Sequence, residues 1–299
     1  MKKYRIYQVD SFTREKLRGN PAGVVTNADG LSESQMQRIA RELNNSETAF
    51  VLAPEGPDHD VHVRFFTPTM EVPLCGHATV AAHYVLAKER HLDNARVVQK
   101  TKAGLVPVDI ARDGDDYTIT MTQGAYSMTD PFAPALVARI AAALGISVSD
   151  IRPDCPVCIA STGYGKVMIG IRSNELLHSL KPDAAALISI SKEIGCNGYY
   201  IFTLNPGEDA LVHGRMFSPA GGIPEDPVTG NANGPLGGYL VRFGLCQSDP
   251  DSFSCKVVQG EAMGRAGSMG IYVKKENGAP ALIQLSGEAV VAFSAELEL

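Results

Sequence analysis

Alternation of apolar and polar residues predicts strands at residues 4–12 and 61–66, and strand character returns at 97–110 and 117–121. Between the first two, Ser32-Glu33-Ser34-Gln35 resembles a capping box, and Met36, Ile39, Ala40 and Leu43 follow at helical spacing, so a helix starts there. Residues 76–90 predict a second helix, apolar nearly all round. A helix without a polar face has to be buried on most sides. Further along, strands are predicted at 167–171, 199–204 and 212–217, helices at 182–194 and 231–243, and later strands at 255–258, 269–273 and 282–285. Each half is thus mainly strands with two helices. A curved sheet wrapped around a central helix satisfies the burial that the apolar helix demands.

The pattern is also a repetition. Arg64-Phe65-Phe66-Thr67-Pro68 recurs 151 residues later as Arg215-Met216-Phe217-Ser218-Pro219. At the same offset Val72-Pro73 returns as Ile223-Pro224, and Ile39-Ala40-Arg41-Glu42-Leu43 as Ile190-Ser191-Lys192-Glu193-Ile194. Separated blocks sharing one long offset indicate a duplication, hence two like halves related by a pseudo-twofold axis rather than a solenoid of short repeats. The break falls in the stretch 123–134, where Gly124, Pro131 and Pro134 interrupt the pattern. The expected division is 1–123, completed by a C-terminal strand at 287–299, and 124–286.

Composition narrows the function. The chain has 299 residues, of which 44% are hydrophobic and 20% charged, enough for a large core. Its net charge of −6 and scattered Lys and Arg argue against nucleic-acid binding. The basic start Met1-Lys2-Lys3-Tyr4-Arg5 leads into alternating residues, with no signal peptide and no apolar run of about 18 residues for a membrane helix. A cytoplasmic location is expected. The six cysteines do not form a disulfide framework in a chain of this length. Cys155-Pro156-Val157-Cys158 lacks the second pair or nearby histidine a zinc site needs, and its prolines suit a loop or strand start with two buried thiols.

The duplication sets candidate chemistry side by side. At the 151 offset Cys75 matches Asp226, and Glu47 matches Gly198. Cys75-Gly76-His77 and Thr229-Gly230-Asn231 each place small residues at a helix N-terminus, where free N–H groups and the helix dipole attract carboxylates. Such donors also stabilise an enolate-like transition state. Glu47, past a helix and entering a strand, is either a solvated loop acid or a base beside that pocket. Asp226, before Pro227, is either a turn carboxylate or a charge partner across the cleft. His77 either bonds backbone at the helix start or contacts substrate. Cys75 is either a small buried hydrophobe or a thiolate favoured by the helix N-terminus. Asn20, in the turn Gly19-Asn20-Pro21-Ala22-Gly23, could reach a ligand carbonyl. No G-x-G-x-x-G, Walker or H-E-x-x-H pattern occurs, so neither a cofactor nor a metal is expected.

These residues resemble one family. Gly19-Asn20-Pro21-Ala22-Gly23-Val24, Ser46-Glu47-Thr48-Ala49-Phe50, Phe66-Thr67-Pro68, Cys75-Gly76-His77-Ala78-Thr79 and Glu225-Asp226-Pro227-Val228-Thr229-Gly230 are similar, in order and along the whole chain, to the PhzF-like phenazine-biosynthesis proteins, most of all to their YddE type. The resemblance implies an α+β, diaminopimelate-epimerase-like fold with two pseudo-symmetric halves, each a barrel-like mixed sheet around a central helix, and a homodimer. It implies that Glu47 shuttles a proton, with His77 and Asp226 as its catalytic companions. Epimerase relatives use two cysteines. Here only Cys75 is present, with Asp226 where the second would stand, so a two-thiol mechanism is not implied. PhzF has a serine after D-P-x-T-G, where this chain has Asn231, and an amide cannot exchange a proton as a hydroxyl does. The expectation therefore keeps the reaction class and drops the phenazine precursor as substrate.

The sequence thus predicts a cofactor-independent isomerase that moves a proton on a small carboxylate. Glu47, His77 and Asp226 would be catalytic, and Asn20, Cys75, Gly76, Thr229, Gly230 and Asn231 would bind substrate. The alternatives are a Cys75-dependent racemase or epimerase and a metabolite-binding protein without catalysis.

Overall fold

A computed structural model describes residues 1–246 and 249–299. The chain forms two compact units, Met1–Thr122 with Ser286–Leu299, and Gln123–Leu285. The first contains β1 (Lys3–Ser11), β2 (Asn20–Val25), α1 (Glu33–Leu43), β3 (Thr48–Leu52), β4 (Val61–Phe66), β5 (Glu71–Val72), α2 (Gly76–Arg90), β6 (Ala95–Thr101), β7 (Gly104–Asp113) and β8 (Asp116–Thr122). The second contains β9 (Ser127–Met128), α3 (Pro134–Leu144), β10 (Cys158–Ser161), β11 (Lys166–Gly170), α4 (Asn174–Ser179), α5 (Ala184–Ile194), β12 (Tyr199–Leu204), β13 (Val212–Ser218), β14 (Ile223–Asp226), α6 (Gly230–Arg242), β15 (Ser252–Gln259) and β16 (Gly267–Glu276). The chain re-enters the first unit near the end of β17 (Ala279–Gly287) and closes with β18 (Ala289–Glu298), which pairs antiparallel with β1.

The two units share one pairing scheme. In the first, β1 lies antiparallel to β2, β2 parallel to β3, β3 antiparallel to β4, β4 antiparallel to β5 and parallel to β6, and β6 antiparallel to β7. In the second, β10 to β16 repeat the same sequence of antiparallel and parallel neighbours. The register agrees too: Thr48 faces Phe66 and Tyr199 faces Phe217, a displacement of 151 at both ends. Parallel neighbours need a crossover, which α1 and α2 supply in the first unit and α5 and α6 in the second.

Each sheet encloses its apolar helix. All residues of α2 from His77 to Ala87 are buried, and α2 packs on β1, β2, β3, β7, β8 and β18. In the second unit, α6 is buried from Ala232 to Leu240 and packs on β10, β11, β15 and β16. The other sheet face carries the amphipathic helices. Met36, Ile39 and Ala40 of α1 pack with Phe50 and Phe66, while α3 and α5 bury Ile140, Leu144, Leu187 and Ile190 against Ile169, Tyr199 and Ile201. Among the described residues no helix is long and apolar enough to cross a membrane.

Three local expectations are corrected. Among its described residues the second unit has four α-helices rather than two, because α3 and α4 were unforeseen. Pro134 occupies the first turn of α3, where its missing N–H costs nothing, instead of breaking the chain. Residues 97–110 are not one strand but the hairpin β6–β7, which turns where Thr101 pairs with Gly104.

The repeated Arg-x-Phe has a structural cause. Arg64 Nε and Nη2 donate to the two carboxylate oxygens of Glu71 at 2.8 and 3.0 Å, and its guanidinium lies 5.1 Å from the Phe66 ring centre. Arg215 repeats this with both oxygens of Glu225 at 2.8 Å and the Phe217 ring at 4.9 Å. The carboxylates come from unequal positions, Glu71 before Val72 and Glu225 after Pro224, so the duplication preserves the pair rather than the position. Arg64 holds the Glu71 carboxyl below the usual carboxylate range, against the opposing effect of burial.

Candidate functional site

In the first unit, β3 and the N-terminus of α2 bring Glu47, Cys75 and His77 together, with one ligating atom of each lying within 4.8 Å of the others. The Glu47 carboxylate Oε2 is 3.4 Å from His77 Nε2, and Ser46 Oγ is 3.2 Å from the same nitrogen. Cys75 Sγ lies 3.4 Å from His77 Nδ1 and 4.0 Å from Nε2, close to both ring nitrogens. His77 and Cys75 are buried and Glu47 is half-buried. The imidazole is therefore in reach of both a thiol and a carboxylate.

Backbone contacts fix all three. Gly23 N–H of β2 donates to the Glu47 carbonyl at 3.2 Å. Ser11 Oγ donates to the His77 carbonyl at 2.8 Å, and the Thr79 hydroxyl donates to the Cys75 carbonyl at 2.7 Å. Asn20, almost fully buried, pairs across the sheet with Ser11, so it belongs to the same layer as the residue that anchors His77. The turn before it requires glycine: Gly19 has φ +60°, and a Cβ there would lie 2.1 Å from the Ser11 carbonyl oxygen.

In the second unit Asp226 ends β14 in a buried polar network. Thr229 Oγ1 donates to its carboxylate, and Gln259 Nε2 donates to its carbonyl at 2.8 Å. Gln259 also accepts from Thr229 N–H and from Asn233 Nδ2, each at 3.1 Å, and the Tyr200 hydroxyl donates to Asn233 Oδ1 at 2.7 Å. A buried network satisfied in this way orients its members strongly. Burial pushes the Tyr200 hydroxyl well above the usual phenol range. Gly230 and Asn231 open α6, with Asn231 exposed.

The starts of α2 and α6, like that of α3, lack a side-chain cap. Ser32, Ser173 and Asp183 cap α1, α4 and α5 with side-chain hydrogen bonds. Cys75 and Thr229, at the N-caps of α2 and α6, make no such bond. The first-turn N–H groups, which have no acceptor within their own helix, are thus left to other partners. This also corrects the offset match. Cys75 stands where Thr229 stands on the second helix, and Asp226 lies three residues earlier, because the second unit has extra residues between Pro224 and Gly230.

Sequence reasoning missed Ser11, Asn233, Gln259, Tyr200 and Lys166. The last had a signal: Lys166 opens the fully buried strand Lys-Val-Met-Ile-Gly. Its side chain fills the space over Gly198, where a Cβ would lie 2.2 Å from Lys166 Cδ, so a side chain at the position matching Glu47 requires Lys166 to move. Burial lowers the Lys166 pKa, while Cys196 and Asp226 nearby work against that shift. Cys155 and Cys158 are free, buried thiols, with pKa values pushed up by burial to about 11 and about 12. They match the bland reading, not a redox pair.

A mixed sheet around a buried helix, made twice in one chain with acid, imidazole and thiol at one helix start, defines the isomerase and epimerase class. The chain belongs to the phenazine biosynthesis-like protein family (PhzC-PhzF), which matches residues 9–295. An uncharacterised isomerase of Clostridium acetobutylicum is 51% identical over 100% of this chain and 99% of its own. The uncharacterised isomerase YddE of Escherichia coli is 48% identical over 98% of each chain. The trans-2,3-dihydro-3-hydroxyanthranilate isomerase of Pseudomonas aeruginosa is 34% identical over 91% of each. Among solved structures, a Bacillus anthracis phenazine biosynthesis protein of the PhzF family superposes with a TM-score of 0.89 at 33% identity, over 100% of both chains. A hydroxyproline epimerase from Agrobacterium vitis, at 13% identity over 99% of this chain and 92% of that one, shares the fold with a TM-score of 0.63.

Proposed function

We propose that this isomerase moves a proton between carbons of a small carboxylate substrate, with Glu47 as the base that takes the proton and the acid that returns it. The observation that carries the reading is the placement of the Glu47 carboxylate 3.4 Å from His77 Nε2, beside the start of α2. The uncapped first turn of α2 holds the substrate carboxylate and the developing enolate through Gly76, and in the second unit Gly230 and Asn231 at the start of α6 are proposed substrate-binding residues. His77 orients Glu47 and balances charge. Asp226, held by Thr229 and Gln259, is the proposed catalytic carboxylate of the second unit, and Asn20, Cys75 and Thr229 are proposed substrate-binding residues. The named substrate of the Pseudomonas aeruginosa relative is itself an amino-carboxylate, which fits this class. The working form is a homodimer in the cytoplasm and needs no cofactor for the proton transfer.

Proton abstraction next to a carboxylate flattens the reacting carbon. A planar, unsaturated carboxylate should therefore bind at least about 100-fold more tightly than its saturated counterpart, as transition-state mimics do. Calorimetric titration of matched pairs checks this, and equal affinities across a panel would contradict it.

A second reading, a Cys75-based racemase, is favoured by the 3.4 Å approach of Cys75 Sγ to His77 Nδ1. Alkylation of Cys75 separates the two: turnover abolished by alkylation yet preserved in Glu47→Gln would select it.

A further inference from the structure

We propose that Glu47, Cys75 and His77 also form a binding site for one thiophilic divalent cation of the Zn²⁺ class, and that the bound cation silences the enzyme by withdrawing Glu47 from proton transfer. Binding does not depend on the proton-transfer reading; the silencing does.

The donor set is thiolate, imidazole and carboxylate, all on one unit. His77 Nε2 lies 4.0 Å from Cys75 Sγ and 3.4 Å from Glu47 Oε2, and all three ligating atoms fall within 4.8 Å. Tetrahedral zinc with ligand bonds of about 2.0–2.3 Å holds its donors roughly 3.3–3.6 Å apart. The Glu47–His77 pair already meets that spacing, so the adjustment falls on Cys75 Sγ, whose 4.0 Å separation from His77 Nε2 must close. The backbones of Cys75 and His77 stay in place through the bonds from Thr79 and Ser11 to their carbonyl oxygens. Imidazole and carboxylate are thus in place before the ion arrives, and the thiol turns to join them.

Three protein donors leave a fourth position for water or a substrate carboxylate, the arrangement of open zinc sites. A sulfur and a nitrogen among three ligands select Zn²⁺, Co²⁺ or Cd²⁺ over Mg²⁺ and Ca²⁺, which take oxygen. Binding replaces the thiol proton: the S–H bond breaks, an S–metal bond forms and one proton leaves to solvent. The thiolate then sits at the positive end of the α2 dipole. With one carboxylate oxygen on the metal, Glu47 no longer offers its lone pair to a carbon-bound proton. Cys155 and Cys158 do not compete in kind, because no histidine or carboxylate joins them in a cluster among the described residues.

The test is a Co²⁺ titration of the full-length protein under reducing conditions, read by the sulfur-to-cobalt charge-transfer band. A band that saturates at one equivalent, is displaced by Zn²⁺ and is accompanied by proton release is the expected result. Cys75→Ser should remove the band and weaken Zn²⁺ binding at least about 100-fold, and Glu47→Gln should keep the band and weaken binding at least about 10-fold. Cys155→Ser should leave both unchanged. Absence of the band in the wild type, or its survival in Cys75→Ser, overturns the site. A saturated site with undiminished turnover leaves the site standing and overturns the silencing, while metal-free turnover of Glu47→Gln separately decides whether Glu47 is the base.

Discussion

Replacing Glu47 by glutamine should lower turnover about 10²–10⁴-fold, the usual contribution of a positioned general acid–base group, while leaving the thermal melting temperature unchanged. Glutamine keeps the shape of the side chain, and its amide oxygen can still accept a hydrogen bond from His77, but an amide cannot take up and return a proton. The main-chain anchor survives, since the Gly23 N–H donates to the Glu47 carbonyl and not to the side chain. The partial exposure of the carboxylate means that the change opens no buried void. Steady-state assays with a turned-over carboxylate, beside a melting curve, check this. Turnover within twofold of the wild type would remove Glu47 from the chemistry.

The largest loss of stability should come from Arg215→Ala, at about 3–5 kcal/mol, the usual cost of leaving one member of a buried ion pair alone. Arg215 is 7% exposed, and besides its two bonds to Glu225 it donates to the carbonyls of Leu177, His178 and Leu180 at the end of α4. One guanidinium therefore satisfies a carboxylate and a helix terminus together, and alanine strands all of them. The equivalent Arg64→Ala should cost less, about 1–3 kcal/mol. Arg64 is more exposed, and its partners are Glu71 and the exposed Glu33, with no helix end to hold. Urea denaturation of the two variants orders them, and equal losses would show that the α4 carbonyls find water at no cost.

What could be read from the chain follows from what repeats. The 151 offset survives wherever strand pairing pins the backbone, as at Thr48 with Phe66 and Tyr199 with Phe217, because a slip of one residue would turn every core side chain to the opposite face. It fails between Pro224 and Gly230, where the β13–β14 register slips and the chain then leaves the sheet, and so it matched Cys75 to Asp226 when the helix start matches it to Thr229. The grouping of Glu47, Cys75 and His77 was legible only in outline. The helix start shared by Cys75 and His77 could be read, but the approach of Glu47 to the imidazole needs the β2–β3 register that holds Glu47 in place. Gln259, Asn233 and Lys166 were out of reach for another reason. Periodicity reports which positions are apolar, and a polar side chain buried in a satisfied network looks the same in sequence as one in water.

The central claim, that Glu47 carries a proton to and from carbon, is tested most directly by solvent isotope incorporation. Wild type and Glu47→Gln are incubated with the same small carboxylates in heavy water, and carbon-bound deuterium is followed by mass spectrometry and proton NMR. The account predicts deuterium entering carbon with the wild type and none above background with Glu47→Gln. Equal incorporation by both proteins would contradict it.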